Sequence, residues 1–436
     1  MKILIIGNGA REHAIAWALK KNPEAQLYCL ATANNPGILE LAEDIKIGDY
    51  NNVEEVLAYA KEVEPEFCFI GPEAPLEKGV ADALCETSIP CIGPKKELAQ
   101  LETSKGFTRD LMEEYKIPAS PKYKRFKVEE GIPEYIDELK MNIVLKPDGL
   151  TGGKGVKVVG DHFETKEEAI EYCKEVIDGQ GEIVIEEKLV GQEFSLMSFT
   201  DGENIIHMPA VQDNKRAFND DEGPNTGGMG SYSMPNHSMP FLNDEDIEEA
   251  REINVKTTKA LKDKFGIPYR GILYGGFIAV KDGVRLIEYN ARLGDPEAMN
   301  IMTLLASDMV ELCRGIVDGD LNKRVVEFKN VATVCKYAVP DGYPDSPVKG
   351  EKINVSEVDT SRVNMFYASV DETDEGLMLG GSRAVGIVAE ADNLYEAEKI
   401  CEEEINKIKG PVFHREDIAT KPLIEKRIKM QEEVRS

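Results

Sequence analysis

Apolar runs in this 436-residue sequence are short, and none approaches the ~18 consecutive residues that a membrane-spanning helix requires. The chain opens directly on the strand-like run Lys2 to Ile6, without the charged and apolar regions of a secretory leader, so it is expected to stay in the cytoplasm and to have no membrane partner. Metal-ligand patterns are also lacking. The five histidines show no ligand spacing, and the eight cysteines (29, 68, 85, 91, 173, 313, 335 and 401) contain no Cys-x-x-Cys pair. Several of these cysteines sit inside apolar runs such as Phe67 to Ile70, so free buried thiols in a reducing compartment are expected, not zinc chemistry. Basic residues are outnumbered, 52 against 80 acidic, giving a net charge of -28 that repels a phosphate backbone and argues against nucleic acid as a partner. Small phosphates are still admissible where lysines and arginines gather in a cleft. Low-complexity linkers and internal repeats are absent too, so the units of the chain are expected to pack against one another.

The length implies roughly three domains. Residues 1 to about 100 alternate short apolar runs (Ile3 to Ile6, Leu27 to Ala31, Phe67 to Ile70, Pro90 to Gly93) with helix-like segments (Arg11 to Lys21, Val53 to Val63, Glu77 to Glu86). That alternation predicts an α/β doubly wound parallel sheet, with ligand loops beyond the strand ends at residues 7–13, 34–37 and 71–76. A helix from about Ser104 to Tyr115 precedes a smaller unit, about 119 to 189. A larger region to about 327 holds a long polar loop from 209 to 233 and a helical stretch near 244 to 264. Residues 328–436 form a tail domain with β-like runs and a helix from Tyr395 to Ile408.

Two stretches carry the most chemistry. Ile143 to Val158 sets Lys146 and Lys154 among Gly149, Gly152, Gly153 and Gly155 between two β-type runs, a hairpin whose backbone N–H groups can approach phosphate; a purely structural hairpin is the competing reading. It is not a Walker A loop, because Gly155 stands where Ser or Thr would bind magnesium. Leu286 to Glu297 places Glu288 and Asn290 on one strand as oxygen ligands suited to a magnesium ion that accompanies a nucleotide. Together they point to an ATP-using enzyme.

Other motifs admit more than one reading. Gly7-Asn-Gly9-Ala-Arg-Glu12 has Glu12 where a dinucleotide fingerprint needs its third glycine, which leaves a structural turn or a phosphosugar site. Glu186, Glu187, Lys188 and Leu189, followed by Glu193, form either an ordinary connection or a hinge that reads adenine and ribose. The loop from Gln212 to Ser231 is too long and polar to be idle unless disordered. Lys215 and Arg216 in it could hold a phosphate or carboxylate, and Asp213 could orient an amine.

At residues 7–13, 71–76, 100–105, the hairpin, 212–216, 223–230 and 287–297 the sequence resembles the phosphoribosylamine-glycine ligases (glycinamide ribonucleotide synthetases) of the ATP-grasp superfamily. The resemblance implies an N-terminal preATP-grasp sheet domain (1–102), a central ATP-grasp catalytic domain (103–118 and 190–327), a mobile lid subdomain (119–189) hinged near 117–118 and 189–191, and a C-terminal α+β domain (328–436). It implies ligation of glycine to 5-phosphoribosylamine at the expense of ATP with Mg2+ (or Mn2+), an early step of purine biosynthesis. The partners would be small molecules and the chain a monomer or small homo-oligomer. By the same resemblance Lys105, Lys146, Gly152, Gly153 and Lys154 would face the phosphates, and Glu186 to Leu189 with Glu193 the adenosine. Glu288 and Asn290 would bind metal. Asp213 and Asp295 would receive the glycine ammonium, while Arg292 would hold the carboxylate or transferring phosphoryl group. Gly9, Glu73, Lys215 and Arg216 would hold the phosphosugar, and Arg292, Lys154 and Asp213 would serve catalysis.

Two departures stand out. The strand ahead of the acid strand, with Tyr274-Gly275-Gly276-Phe277, offers no further metal-binding acid, and Ala419 stands where glycine is common in the family's closing motif. The competing possibilities are another ATP-grasp ligase, one that carboxylates or formylates a ribonucleotide, and a nucleotide sensor without turnover.

Overall fold

The computed structural model describes residues 1–150 and 155–436. Five parallel strands build the first domain, in the order Ala42–Ile47, Gln26–Ala31, Lys2–Ile6, Phe67–Ile70, Cys91–Ile92. Its central strands are buried on both faces, as parallel strands covered by helices must be, and this explains why they read as continuous apolar runs. Several local expectations give way. The stretch 34–37 is no simple loop: Asn35 accepts the N–H groups of Gly37 and Ile38 and, with Pro36 in the first turn, starts the helix Pro36–Leu41. The edge strand Ala42–Ile47 escaped notice because it is half polar and largely solvated. The segment Glu77 to Glu86 is two helices, Glu73–Lys78 and Val80–Glu86, broken where Gly79 takes φ +82°.

The 119–189 unit has its own antiparallel sheet, ordered Tyr123–Phe126, Ile183–Glu187, Ile143–Pro147, Lys157–Val158. Helices Ile132–Glu138 and Lys166–Gln180 cover it, and Phe126, Ile136, Leu145, Cys173 and Ile185 belong to a hydrophobic core separate from that of the rest of the chain. Part of the glycine hairpin (residues 151–154) lies outside the described residues, and with it the expectations for Gly152, Gly153 and Lys154.

The central sheet is antiparallel: Ile205–His207, Gln192–Thr200, Gly271–Val280, Gly283–Asn290, backed by the helix Asp244–Phe265. The polar loop of 209–233 contains strands Gln212–Asp213 and Gly230–Ser233, and these join the tail strands Ala332–Pro340, Val385–Ala391 and Val363–Tyr367, with Val412–Phe413 paired to the end of Ala332–Pro340, in a six-stranded sheet. The boundary expected at 327/328 therefore runs through a sheet. The C-terminal helix Lys421–Arg435, unrecognised because its sequence is mostly charged, lies back on the central domain, where Gln431 accepts the N–H of Gln192. Ala419 adopts φ +65°, the left-handed conformation glycine would take without strain. No described helix is long and apolar enough to cross a membrane.

Candidate functional site

The helix Lys105–Glu114 carries the first part of the site to the central sheet. Ser104 caps it by accepting the Phe107 N–H, and Asp148, at the foot of the glycine hairpin, accepts from the Ser104 hydroxyl and the Gly106 N–H. One turn along, Arg109 is 2% exposed. Its guanidinium donates to both Glu186 oxygens at 2.6 and 3.1 Å, and to the Leu286 and Ile287 carbonyls at 2.9 and 2.7 Å. Lys146 completes the network, 2.7 Å from Glu186 and donating to the Ile287 carbonyl at 3.2 Å. Burial alone would raise the Glu186 pKa, but Arg109 and Lys146 hold it down at about 2. Arg109 thus ties the lid strand ending in Glu187, the strand bearing Lys146 and the acid strand into one buried knot.

Glu288 and Asn290 are two residues apart on the acid strand and project to one face. Lys215 lies 3.9 Å from Glu288 and 4.0 Å from Glu193. Although burial opposes its charge, Glu288 stays below the ordinary carboxylate range because Lys215, Lys146 and Lys105 surround it. The Asn290 amide is best oriented with its nitrogen donating to Glu102 (3.1 Å) and the Tyr289 carbonyl, so its oxygen points away from these acceptors. No cluster of three or more His, Cys, Asp or Glu among the described residues could cage a metal. Such a donor set fits a magnesium-type ion, which takes one or two protein oxygens and completes its shell with phosphates and water.

A second group of acids lies in the same pocket, which Glu193, Asp213, Lys215, Tyr274, Glu288 and Glu297 line. Glu297 is buried and accepts from the Tyr274 hydroxyl at 2.8 Å. The Oδ1 of Asp213 is shut off from solvent and has no hydrogen-bond partner. Burial, then Glu297, push the Asp213 pKa well above the usual carboxylate range. Beyond the acid strand, Arg292 sits between Glu73 (3.3 Å) and Glu102 (3.1 Å). Its charge and that of Arg11 hold Glu73 at about 2 against the effect of burial, while burial pushes Glu102 up.

Several residues singled out from the sequence are placed differently. Glu186 is engaged by Arg109 and Lys146, so its carboxylate is not free to accept from a nucleoside. Glu187 accepts the Lys122 N–H, and Lys188 donates to the Val159 carbonyl; Leu189 follows at the lid's exit. Lys105 donates to the Gly149 carbonyl at 2.7 Å. The Gly9 N–H is taken by Glu12 at 2.6 Å, so the acid in place of the third fingerprint glycine fills the anion position of its own turn. His13 accepts the Tyr367 N–H, and Asn35 donates to the Tyr367 carbonyl, bolting these loops to the tail domain. Arg216 pairs with Asp161 of the lid at 2.5 Å and donates to the Gly223 carbonyl. Asp295 turns to the tail domain, paired with Arg383 at 3.0 Å and accepting from the Tyr337 hydroxyl at 2.6 Å. Arg109, Glu102, Glu297 and Arg383 had no role assigned from sequence. Glu297, within the acid cluster, and Glu102, within the 100–105 motif, carried signals that could have found them.

The phosphoribosylglycinamide synthetase models match this chain in three consecutive parts: the N domain over residues 1–102, the ATP-grasp (A) domain over 103–298 and the C domain over 333–421. The chain belongs to the phosphoribosylglycinamide synthetase family. Relatives named phosphoribosylamine–glycine ligase include that of Methanocaldococcus jannaschii, 51% identical over 444 residues with all of both chains covered. The Methanococcus vannielii relative is 49% identical over 443 residues, again with full coverage of both. A crystal structure of the Thermotoga maritima phosphoribosylamine–glycine ligase superposes with a TM-score of 0.82 at 31% identity, covering 96% of this chain and all of that one. The biotin carboxylase domain of Hydrogenobacter thermophilus 2-oxoglutarate carboxylase (TM-score 0.74, 17% identity, 99% and 93% covered) shares the fold. The preATP-grasp and ATP-grasp architecture inferred from the motifs is therefore the family's own.

Proposed function

We infer that this chain joins glycine to 5-phosphoribosylamine with ATP, giving glycinamide ribonucleotide, ADP and phosphate in purine biosynthesis, and so acts as a carboxylate-amine ligase that forms a C–N bond. The observation that carries the reading is the pairing, in one pocket, of a lysine-ringed Glu288 with the unpartnered acid Asp213. The first suits a metal–nucleotide phosphate, the second a small cation with no side chain of its own to bring. Membership of a family whose relatives bear this ligase name supports it.

A glycine carboxylate is a poor acylating agent. One of its oxygens attacks the γ-phosphorus of ATP, the bond to the β-phosphate oxygen breaks, and ADP leaves. The sugar's amine nitrogen then attacks the carbonyl carbon of the resulting glycyl phosphate, the C–O bond to phosphate breaks, and the amine gives up a proton. Phosphoryl transfer of this kind depends on positioning and charge neutralisation. Lys105, Lys146 and Lys215 supply positive charge around Glu288, and Lys154, outside the described residues, is assigned to the same task. Glu288 and the Asn290 carbonyl would hold Mg2+ or Mn2+, which would offset negative charge on the phosphates. Asp213 and Glu297 receive the glycine ammonium and leave its carboxylate directed at the lysines. Arg292, held between Glu73 and Glu102, faces the carboxylate or the departing phosphate. The backbone from Glu187 to Leu189, with Glu193, takes the adenosine. Gly9, Glu73, Lys215 and Arg216 line the approach of the phosphosugar, Gly9 and Arg216 once their present partners exchange.

ADP release is the test. It should require both glycine and phosphoribosylamine, the latter generated in situ, and equal turnover with formate or bicarbonate in place of glycine would overturn the assignment.

A further inference from the structure

The Asp213 carboxylate is walled by backbone on one side. Gly228 takes φ +113°, and a Cβ there would lie 2.6 Å from Asp213 Oδ1 and 2.5 Å from the Pro296 ring. Behind this turn stands a cation from another domain. Arg383, in the link that leads into the tail strand Val385–Ala391, directs one nitrogen at the carbonyls of Gly227 (2.6 Å), Gly228 (3.1 Å) and Asp295 (3.0 Å). Its other terminal nitrogen pairs with the Asp295 carboxylate at 3.0 Å, and its guanidinium lies 4.7 Å from the centre of the Tyr337 ring, whose hydroxyl closes the circuit by donating to Asp295. A Cβ on Gly227 would come within 3.0 Å of the guanidinium carbon. The turn is thus sandwiched between Arg383 and Asp213. On the opposite side of the acid pair the same economy of space recurs, since a Cβ on Gly294 would meet Glu297 at 2.4 Å.

We propose that Arg383 is a positioning residue through which the tail domain clamps the Gly227–Gly228 turn against Asp213, fixing an amino-acid pocket that admits a Cα bearing only hydrogens. The proposal rests on the assignment of Asp213 to the glycine ammonium and adds to it the origin of the selectivity. Planar guanidinium geometry is what the task needs: one rigid fork reaches two carbonyls of the turn and both oxygen types of Asp295 while stacking on an aromatic ring. A lysine ammonium is a single point of charge and cannot reproduce that arrangement. Freed from Arg383, the turn moves off Asp213, the ammonium loses its wall, and space opens beside the Cα.

The test uses full-length Arg383→Ala and Arg383→Lys. Hydrogen exchange of the Gly227 to Met229 amides is read without substrates, together with KM for glycine, turnover with alanine relative to glycine, and affinity for a non-hydrolysable ATP analogue. The expected result is faster exchange at the turn, a glycine KM raised about tenfold, as loss of a charge-assisted hydrogen bond implies, a higher alanine-to-glycine ratio and unchanged nucleotide affinity. Arg383→Lys should shift all of these the same way but less, and it stands in if Arg383→Ala does not fold. Wild-type exchange and glycine KM in both variants would overturn the proposal, as would an equal loss of nucleotide affinity, the mark of general damage. Asp213→Asn measured alongside separates the two levels. No rise in glycine KM there means the ammonium assignment has failed; a rise there with none in the Arg383 variants means only the clamp has failed.

Discussion

The knot around Arg109 and the acid pair of Asp213 and Glu297 are both built of buried charged residues beside the acid strand, yet their charges are balanced in opposite ways. Around Arg109 both Glu186 oxygens are taken and the guanidinium spends its donors on Glu186 and two main-chain carbonyls. At the acid pair the Asp213 Oδ1, packed against the Gly228 turn, accepts no hydrogen bond and lies in one pocket with a second buried carboxylate. A buried carboxylate without a partner is costly to ionise, so Asp213 retains its proton until a cation arrives to balance the charge. The saturated knot is scaffold, holding Lys146 and the acid strand in place. The unsaturated pair is the place proposed above for the glycine ammonium.

Breaking the scaffold should have the largest effect. Arg109→Met leaves Glu186 buried against Lys146 alone, and removal of one partner from a buried ion pair costs about 3 to 5 kcal/mol. Chemical denaturation should show that loss; a stability within error of wild type would mean the knot does not carry the fold. Glu288→Gln keeps the shape and one carbonyl oxygen but removes the charge, so turnover should fall roughly a hundredfold, about 3 kcal/mol, with little change in nucleoside binding. Near wild-type turnover at every magnesium concentration would make the metal assignment untenable.

A third test concerns the contact between the first and tail domains. Burial lowers the His13 pKa from 6.5 to about 3. The folded state therefore excludes a proton that the unfolded state binds, and the stability this provides is present above pH 6.5 and drains away as pH falls toward 3. His207, lowered to about 4 by burial, acts in the same window. Each contributes a slope of up to about 1.4 kcal/mol per pH unit, opposed in the same range by the raised Asp213 and Glu102, so His13→Gln should remove one such increment of acid destabilisation as pH falls below about 6. An unchanged slope would show that His13 is not held neutral. The smallest effect is expected at the half-exposed pair of Arg216 and Asp161, which joins the lid to the substrate loop. Asp161→Asn should alter stability by less than about 1 kcal/mol. A larger loss would move that pair into the same class as the Arg109 knot.

Much of this division was legible in the sequence. The parallel sheet showed itself because strands such as Ile3 to Ile6 are buried on both faces, and the smaller unit of 119–189 because its own strands and helices follow the break at Ile117-Pro118. Glu288 and Asn290 could be paired from their spacing on one strand. What could not be read is who neutralises whom. Glu186 looked available to a ribose until Arg109, 77 residues earlier, took both its oxygens, and Asp295 looked like an ammonium acceptor until Arg383 came in from the tail domain. Ion pairs across such separations leave no periodic trace. The edge strand Ala42–Ile47 and the helix Lys421–Arg435 were missed for a related reason: both are mostly polar, and their burial is decided by neighbours that the local pattern does not name.

The claim that the acid pair awaits a cation is tested most directly by the protons that move when glycine binds. Asp213, its pKa raised by burial and by Glu297, must be ionised to face an ammonium, so bound glycine should lower that pKa and drive a proton off the protein. Calorimetric titration of glycine into the enzyme with a non-hydrolysable ATP analogue, repeated in buffers of different ionisation enthalpy from about pH 5 to 8, gives the number of protons exchanged. Net release within that range, abolished in Asp213→Asn, is the predicted result. Binding with no proton released at any of these pH values, or with release that persists in Asp213→Asn, would contradict it.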